Sequence, residues 1–301
     1  MVERIILQRV KSSEELVLDM VSTPDFILKS VDWGSIRGTH HSYKYVNQVG
    51  ISITNTSLEP RDEIKIEGWI VAKNENQMTS LKRKLNYFVN PQEAINLIYS
   101  TYIIKFIPDE TVKYSANIAE NNEYFCKFLI EGTAPNPLFS DNFETRSTFV
   151  STVGGLHFPL TISPSLPDKG ATFGKRIASL IANVFNSGSV PIGMKIVFKA
   201  NGMITNPKLI NVNTQEQFVI NKTLIASEEI EINTNVGEKS VKGKIGTSTY
   251  TNYFMYKDVD SSWLQLEIGD NLFRYDADDG IDNLDVFIYF NNQYLEVQEC
   301  Y

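Results

Sequence analysis

The sequence predicts a mainly β protein in two parts, a β-rich N-terminal domain with one helix and a C-terminal β-sandwich. Three observations predict it. From Ser189 to Tyr294, short runs broken by Gly, Asn and Pro alternate apolar and polar residues, as in Met194/Ile196/Phe198 and Val286/Ile288/Phe290, so each run can bury one face and wet the other. The 14 Tyr and 17 Phe favour strands over helices. At 301 residues the chain is long for one core and comfortable for two.

The elements follow in order. Ile5 to Val10 and Leu16 to Val21 read as a hairpin around the polar turn KSSEE, and Phe26 to Trp33 as a further strand. GSIRGTHHSYKYVNQVG, from Gly34, is polar and aromatic without a clean period, which predicts a long loop or extended arm. Strands at Gly50 to Thr54 and Glu63 to Ala72 flank the turn SLEPRD. Asn74 to Asn90 is the one helix. Met78, Leu81, Leu85 and Phe88 share a face, Asn74 or Asn76 can cap the start, and Pro91 stops it. Strands resume at Ala94 to Ser100, Tyr102 to Ile107, Lys113 to Ala119 and Tyr124 to Gly132. APNPLFSD then gives a rigid extended exit, because its prolines keep the chain out of helical space. The expected division is an N-terminal domain at 1–145, a Pro- and Gly-rich linker at 146–188 and a C-terminal sandwich at 189–301.

Composition excludes several classes. Hydrophobic content of 42% with 21% charged residues excludes a disordered chain, and a formal charge of −8 leaves no basic surplus for a nucleic-acid binder. MVERIILQRV is charged within its apolar run and lacks a cleavage site, and no apolar stretch approaches the roughly 20 residues of a membrane span, so a soluble protein without membrane insertion is expected. The two cysteines, Cys126 and Cys300, read as a buried small hydrophobe and a terminal thiol.

Catalytic chemistry is hard to find. His40 and His41 are adjacent and point to opposite sides of an extended segment, His157 stands alone, and no Cys or carboxylate lies at ligand spacing, so neither metal nor cofactor is expected. GATFGKR is one residue short of a phosphate loop and has Arg where Ser or Thr would hold magnesium. DADDGID, from Asp276 to Asp282, fails the calcium-loop register and reads as a solvated hairpin tip. Carboxylate pairs such as Glu14/Glu15 sit in turns, and no nucleophile motif occurs, so no catalytic residue is assigned and no enzyme expected. Trp263, Phe273, Tyr275, Tyr289 and Tyr294 form an aromatic set in the C-terminal runs. Of these, Trp263 and Phe273 read as core, and Tyr275 and Tyr294 are the candidates for glycan or partner contact.

The wording of several runs resembles the distal tail protein (Dit) family of siphophages. In the C-terminal half the resemblance lies in the NP-x-L-x-N step at Asn206, the IxINT strand at Ile230, the W-L-x-L-x-x-G-x-N-x-F hairpin at Trp263 and the closing YLxV at Tyr294. In the N-terminal half it lies in PR-x-x-I-x-I-x-G-x-I from Pro60, the helix LKRKLNYFVNP and the N-P-x-F step at Asn136. The resemblance implies a virion structural protein made in the host bacterial cytoplasm. Its N-terminal belt domain would build a homohexameric ring at the end of the tail tube, and its C-terminal domain would be galectin-like. Implied partners are the tail-tube protein, the tail-associated hub or tip protein and a receptor-binding protein. Within such a ring, Trp33, Tyr43 and Tyr45 are the expected anchors, since they stand in or beside an otherwise polar arm. The alternative is a carbohydrate-binding adhesin that contacts the host wall through the C-terminal sandwich.

Overall fold

The computed structural model describes residues 4–21, 25–47, 49–154, 174–178 and 180–297. They form a mainly β protein of two compact units, Met1–Phe143 with Gln293–Tyr301, and Glu144–Asn292.

The first unit contains strands β1 (Arg4–Arg9), β2 (Glu15–Asp19), β3 (Phe26–Asp32), β4 (Gly38–Tyr43), β5 (Ser52–Leu58) and β6 (Arg61–Val71), helix α1 (Glu75–Phe88), and then β7 (Ile95–Tyr99), β8 (Tyr102–Pro108), β9 (Lys113–Tyr114), β10 (Phe125–Ala134) and β11 (Phe139–Asp141). Neighbouring strands run β8-β7-β1-β2-β3-β6-β10, and β10 also pairs with β8, which closes the sheet into a barrel. Closure removes the sheet edges that would otherwise need protection. The closing pairs are Gly132↔Pro108 and Thr133↔Ile107, on the residues where β10 also pairs with β6 through Gly132↔Ile64.

Alternation puts the core inside. In β6, Ile64, Ile66 and Ile70 are buried while Glu63, Lys65 and Glu67 are not, and in β10 Cys126, Phe128, Ile130 and Ala134 are buried. Cys126 is thus the core hydrophobe its context suggested, whereas Cys300 lies outside the described residues. Helix α1 is capped by Asn74, whose side chain accepts from the Gln77 amide at 2.9 Å while the Gln77 side chain accepts from the Lys73 amide, so a first-turn donor and the amide just before the cap are satisfied together. Met78, Leu81, Leu85 and Phe88 join the barrel core cluster. The segment expected as a long loop is instead half of a hairpin. Strands β4 and β5 pair from Gly38↔Leu58 to Tyr43↔Ser52 as a separate two-stranded sheet. Of Lys113 to Ala119, only Lys113–Tyr114 is strand, because Ser115, Asn117 and Asn121 spend their polar groups on local turns.

Three exposed or half-exposed glutamates of this unit, Glu67, Glu93 and Glu131, hold their carboxyls below the ordinary range, chiefly through hydrogen bonds from Lys29, from Lys11 and then Arg9, and from Lys113. A depressed folded-state pKa adds stability above the unfolded-state value, and that stability is lost as the pH falls through the folded one. Thermal unfolding is therefore expected to shift downward below the ordinary glutamate range, and Glu93→Gln to flatten the shift. An unchanged pH profile in E93Q would remove Glu93 from the account.

The second unit contains β12 (Thr145–Thr148), β13 (Val150–Gly154), β14 (Gly174–Ala178), β15 (Ile181–Asn186), β16 (Lys195–Ala200), β17 (Ile204–Thr205), β18 (Lys208–Asn211), β19 (Gln217–Val219), β20 (Thr223–Leu224), β21 (Glu228–Asn233), β22 (Ser240–Ile245), β23 (Thr251–Asn252), β24 (Gly269–Asp276) and β25 (Leu284–Phe290). Two antiparallel sheets, β12-β25-β16-β21-β22-β23 and β15-β24-β18-β19, share one core of alternating residues such as Ile196, Phe198, Ile230, Ile232 and Ile288 from the first and Leu209, Phe218, Phe273 and Tyr275 from the second. This is the two-sheet sandwich expected of a galectin-like domain. The chain then returns to the first unit. Its last strand, β26 (Gln293–Tyr294), pairs with β11 through Phe139↔Tyr294 and Ser140↔Gln293.

Candidate assembly surface

The β4–β5 hairpin and its turn carry a run of exposed apolar side chains. Tyr43 and Tyr45 pack edge to face with ring centroids 4.9 Å apart yet remain 43% and 66% exposed, and Val46, Val49, Ile51 and Ile53 beside them are more than half exposed. A monomeric surface rarely leaves so much apolar area together unless it is covered in use, and a lone two-stranded ribbon is marginally stable by itself. Along the hairpin, His40 Nδ1 meets Thr56 Oγ1 at 3.0 Å, and Thr39 bonds Glu59. Those contacts tie the two strands to each other.

At the foot of the hairpin lies a residue to which the sequence reading gave no role. Arg61 is fully buried. Its Nε donates to Pro137 O at 3.0 Å, its Nη1 to Trp33 O and Gly34 O, both at 3.3 Å, and its Nη2 to Leu295 O. The guanidinium also lies 4.9 Å over the Phe139 ring and 3.8 Å from the Glu296 carboxylate. Burial pushes its pKa below the ordinary arginine value, and Glu296 opposes that shift. One side chain thus ties the start of the arm, the proline-rich exit and the C-terminal segment together. Gly34 fits beneath the same knot only as glycine, since its φ is +65° and a Cβ would lie 2.1 Å from Asp62 O.

The structure separates the predicted contact residues. Trp33 is half-buried at the arm's root, edge to face with Phe139 at 5.1 Å and 6.0 Å from Tyr99, and its Nε1–H is buried without an acceptor among the described residues. Tyr43 and Tyr45 stand together further out on the arm. Tyr275 and Tyr294 are in different units. Tyr275 is 2% exposed, edge to face with Phe149 at 5.3 Å inside the sandwich, and offers a ligand no face. Tyr294 is half-buried against Tyr102 of the barrel at 5.3 Å. Trp263 packs on Phe218 with Lys239 and Lys257 near its ring.

The acidic run is a braced loop more than a free tip. Asp278 accepts from Asn206 at 2.9 Å and Lys208 at 3.1 Å, Asp279 bonds the Gly280 amide, and no cluster of three metal-binding side chains occurs among the described residues. His157 and most of GATFGKR lie outside the described residues. No described helix is long and apolar enough to cross a membrane.

Comparison with known proteins follows the same two-part division. Residues 21–131 match the phage tail protein RIFT-related domain, and residues 187–294 match the siphovirus-type tail component, C-terminal domain. Among solved structures, the fold is similar to that of the SPP1 Dit (gp 19.1) protein, described as a paradigm of the hub adsorption apparatus in Gram-positive infecting phages. The TM-score is 0.65 at 11% identity, over 97% of this chain and 99% of that one. A chain of the phage P2 baseplate in its activated conformation with Ca is similar at a TM-score of 0.51 and 12% identity, over 98% and 99% of the two chains. At such identities the likeness is one of fold. No curated protein matches the chain.

Proposed function

We propose, from the premise that this chain belongs to the siphophage distal tail protein family and is a structural component of the distal end of a phage tail, that it closes into a homohexameric ring through its β4–β5 arm. The observation that carries this reading is the exposed apolar cluster around Tyr43 and Tyr45 on a ribbon that has no other sheet to pair with among the described residues. A ring repeats one heterologous contact until it closes, and an arm that reaches a neighbour supplies such a contact. Trp33 contributes from the root, where its ring, packed on Phe139 and Tyr99, holds the base of the arm in place. The ring would join the tail-tube protein on one face to the hub or tip protein on the other, with the second unit available to a receptor-binding protein. Its work is mechanical coupling without catalysis. The glycan-binding reading has less support, because Tyr275 is enclosed and Tyr294 belongs to the barrel unit.

Light scattering with negative-stain imaging tests the ring. The protein alone is expected at six times its monomer mass with a central channel, and the mixture with the tube and hub proteins at a higher mass with the same six-fold ring. The double variant Tyr43→Ser with Tyr45→Ser is expected to keep the monomer's unfolding temperature and lose the ring. An intact ring in that variant would refute the arm contact.

A further inference from the structure

We propose that the C-terminal segment Gln293–Val297 is a clasp that sets the root of the arm, so that the arm becomes competent to grip a neighbour only in a chain that carries this segment. This rests on the arm reading above for its functional consequence, and on geometry for the clasp itself.

The segment is held at several points. β26 lies on the outer edge of the first unit's sheet against β11, Tyr294 packs edge to face on Tyr102, and both Tyr294 and Val297 pack on the barrel core cluster. Leu295 O then accepts from Arg61 Nη2, and Glu296 brings its carboxylate to 3.8 Å from the same nitrogen. The other terminal nitrogen of that guanidinium, Nη1, holds Trp33 O and Gly34 O, the two residues where the chain leaves β3 for the arm. A single buried cation therefore reads the presence of the tail on one side and fixes the arm's root on the other.

The physics makes the link conditional. A guanidinium needs its fork of donors satisfied when it is buried, and a buried charge that loses a partner is strongly destabilising. Without the tail, Nη2 keeps neither its acceptor nor its counter-ion, and the guanidinium relieves this by turning toward water, which releases the Trp33 and Gly34 carbonyls. Gly34, at φ +65° and pressed against Asp62 O, has no slack to follow. None of these residues belongs to the second unit's core cluster, whose members run from Phe149 to Phe290. Arg61 and Leu295 are 234 residues apart, so the clasp closes only after the second unit's whole sequence has been made.

Hydrogen exchange read by mass spectrometry, with ring formation followed in parallel, tests the clasp. In a chain ending at Asn292, exchange at 33–37 and 58–62 is expected to speed at least tenfold while 228–245 and 284–290 stay protected. A synthetic peptide of residues 293–301 is expected to restore protection. Unchanged exchange at the root would overturn the clasp. Should the shortened chain lose protection throughout, Tyr294→Ala in the 301-residue chain decides instead: faster exchange at the root with 228–245 unchanged supports the clasp, and exchange equal to the parent protein's overturns it. Faster exchange at the root with an intact ring keeps the clasp and refutes the arm as the ring contact.

Discussion

Arg61→Met is expected to destabilise the first unit by about 3–5 kcal/mol while leaving the second folded, which is a large share of the about 5–15 kcal/mol that holds an ordinary domain together. Two effects compete. Removing a buried cation returns its desolvation cost, and swapping a whole buried ionic group for well-packed hydrophobes can be neutral or stabilising. Here only the donor is swapped. The acceptors are the backbone carbonyls of Trp33, Gly34, Pro137 and Leu295, which no side-chain change removes; the bond to Pro137 is fully buried and the other three partly so, and an acceptor left buried without a donor costs about 1–3 kcal/mol. Four such groups outweigh the gain. Arg61→Lys should fall between, because an ammonium keeps the charge but lacks the planar fork that reaches three chain segments at once. Thermal denaturation read by exchange in each unit checks this. The expected result is an early transition in the barrel peptides and an unchanged one in 228–245. A barrel transition within a degree or two of the parent protein's would show that water satisfies those carbonyls and that the knot matters little.

Arg61 also shows where a sequence is legible and where it is not. Alternation in Ile64/Ile66/Ile70 and Val286/Ile288/Phe290 is local and physical, since one face must be dry, so the strands and the two sheets' faces were readable. Helix α1 was readable for the same reason, with Asn74 and Pro91 marking its ends. Tyr275 carried a readable signal as well. It stands two residues from Phe273 on one strand and so shares its buried face, and its hydroxyl alone made it look like a contact residue. By contrast, an arginine that opens a strand looks like any solvated end. Its role depends on Trp33, Pro137 and Leu295, segments 28 to 234 residues away. The tail was legible as a strand but not as to its sheet, because the pattern of Tyr294-Leu295-Glu296-Val297 says nothing about which unit supplies the neighbour. The first half of the arm hid for another reason, while its second half was read in part as the strand Gly50 to Thr54. A ribbon with no buried face has no alternation to read, and its strands β4 and β5 are nearly all exposed.

Gly132→Val is expected to open the barrel. Gly132 is the one residue of β10 that pairs with β6 through Ile64 on one side and with β8 through Pro108 on the other, so the two ends of the curved sheet meet there. The join is tight. A Cβ at this position would lie 2.4 Å from Ile107 O and 2.5 Å from Phe106 Cζ, and Phe106 is itself fully buried in the core. A flexible side-chain end could move aside, but the first of these atoms is the backbone of the strand that must pair. The ring has no room to swing among the neighbours of a packed interior. Overpacking of a core typically costs about 1–3 kcal/mol, and this case adds the loss of the closing hydrogen bonds, so a loss nearer the upper end of that range or beyond it is expected. Opening the join would also expose the facing edges of β8 and β10, and exposed edges pair with other chains. The variant should therefore show a lowered unfolding temperature, faster exchange at 104–108 and 128–134, and a tendency to aggregate, with 228–245 unaffected. Gly132→Ala should do the same to a smaller degree, since the first carbon makes the clash. Normal stability in both would mean that β8 and β10 separate at little cost, and that α1 and the packed core hold the barrel in shape without the seam.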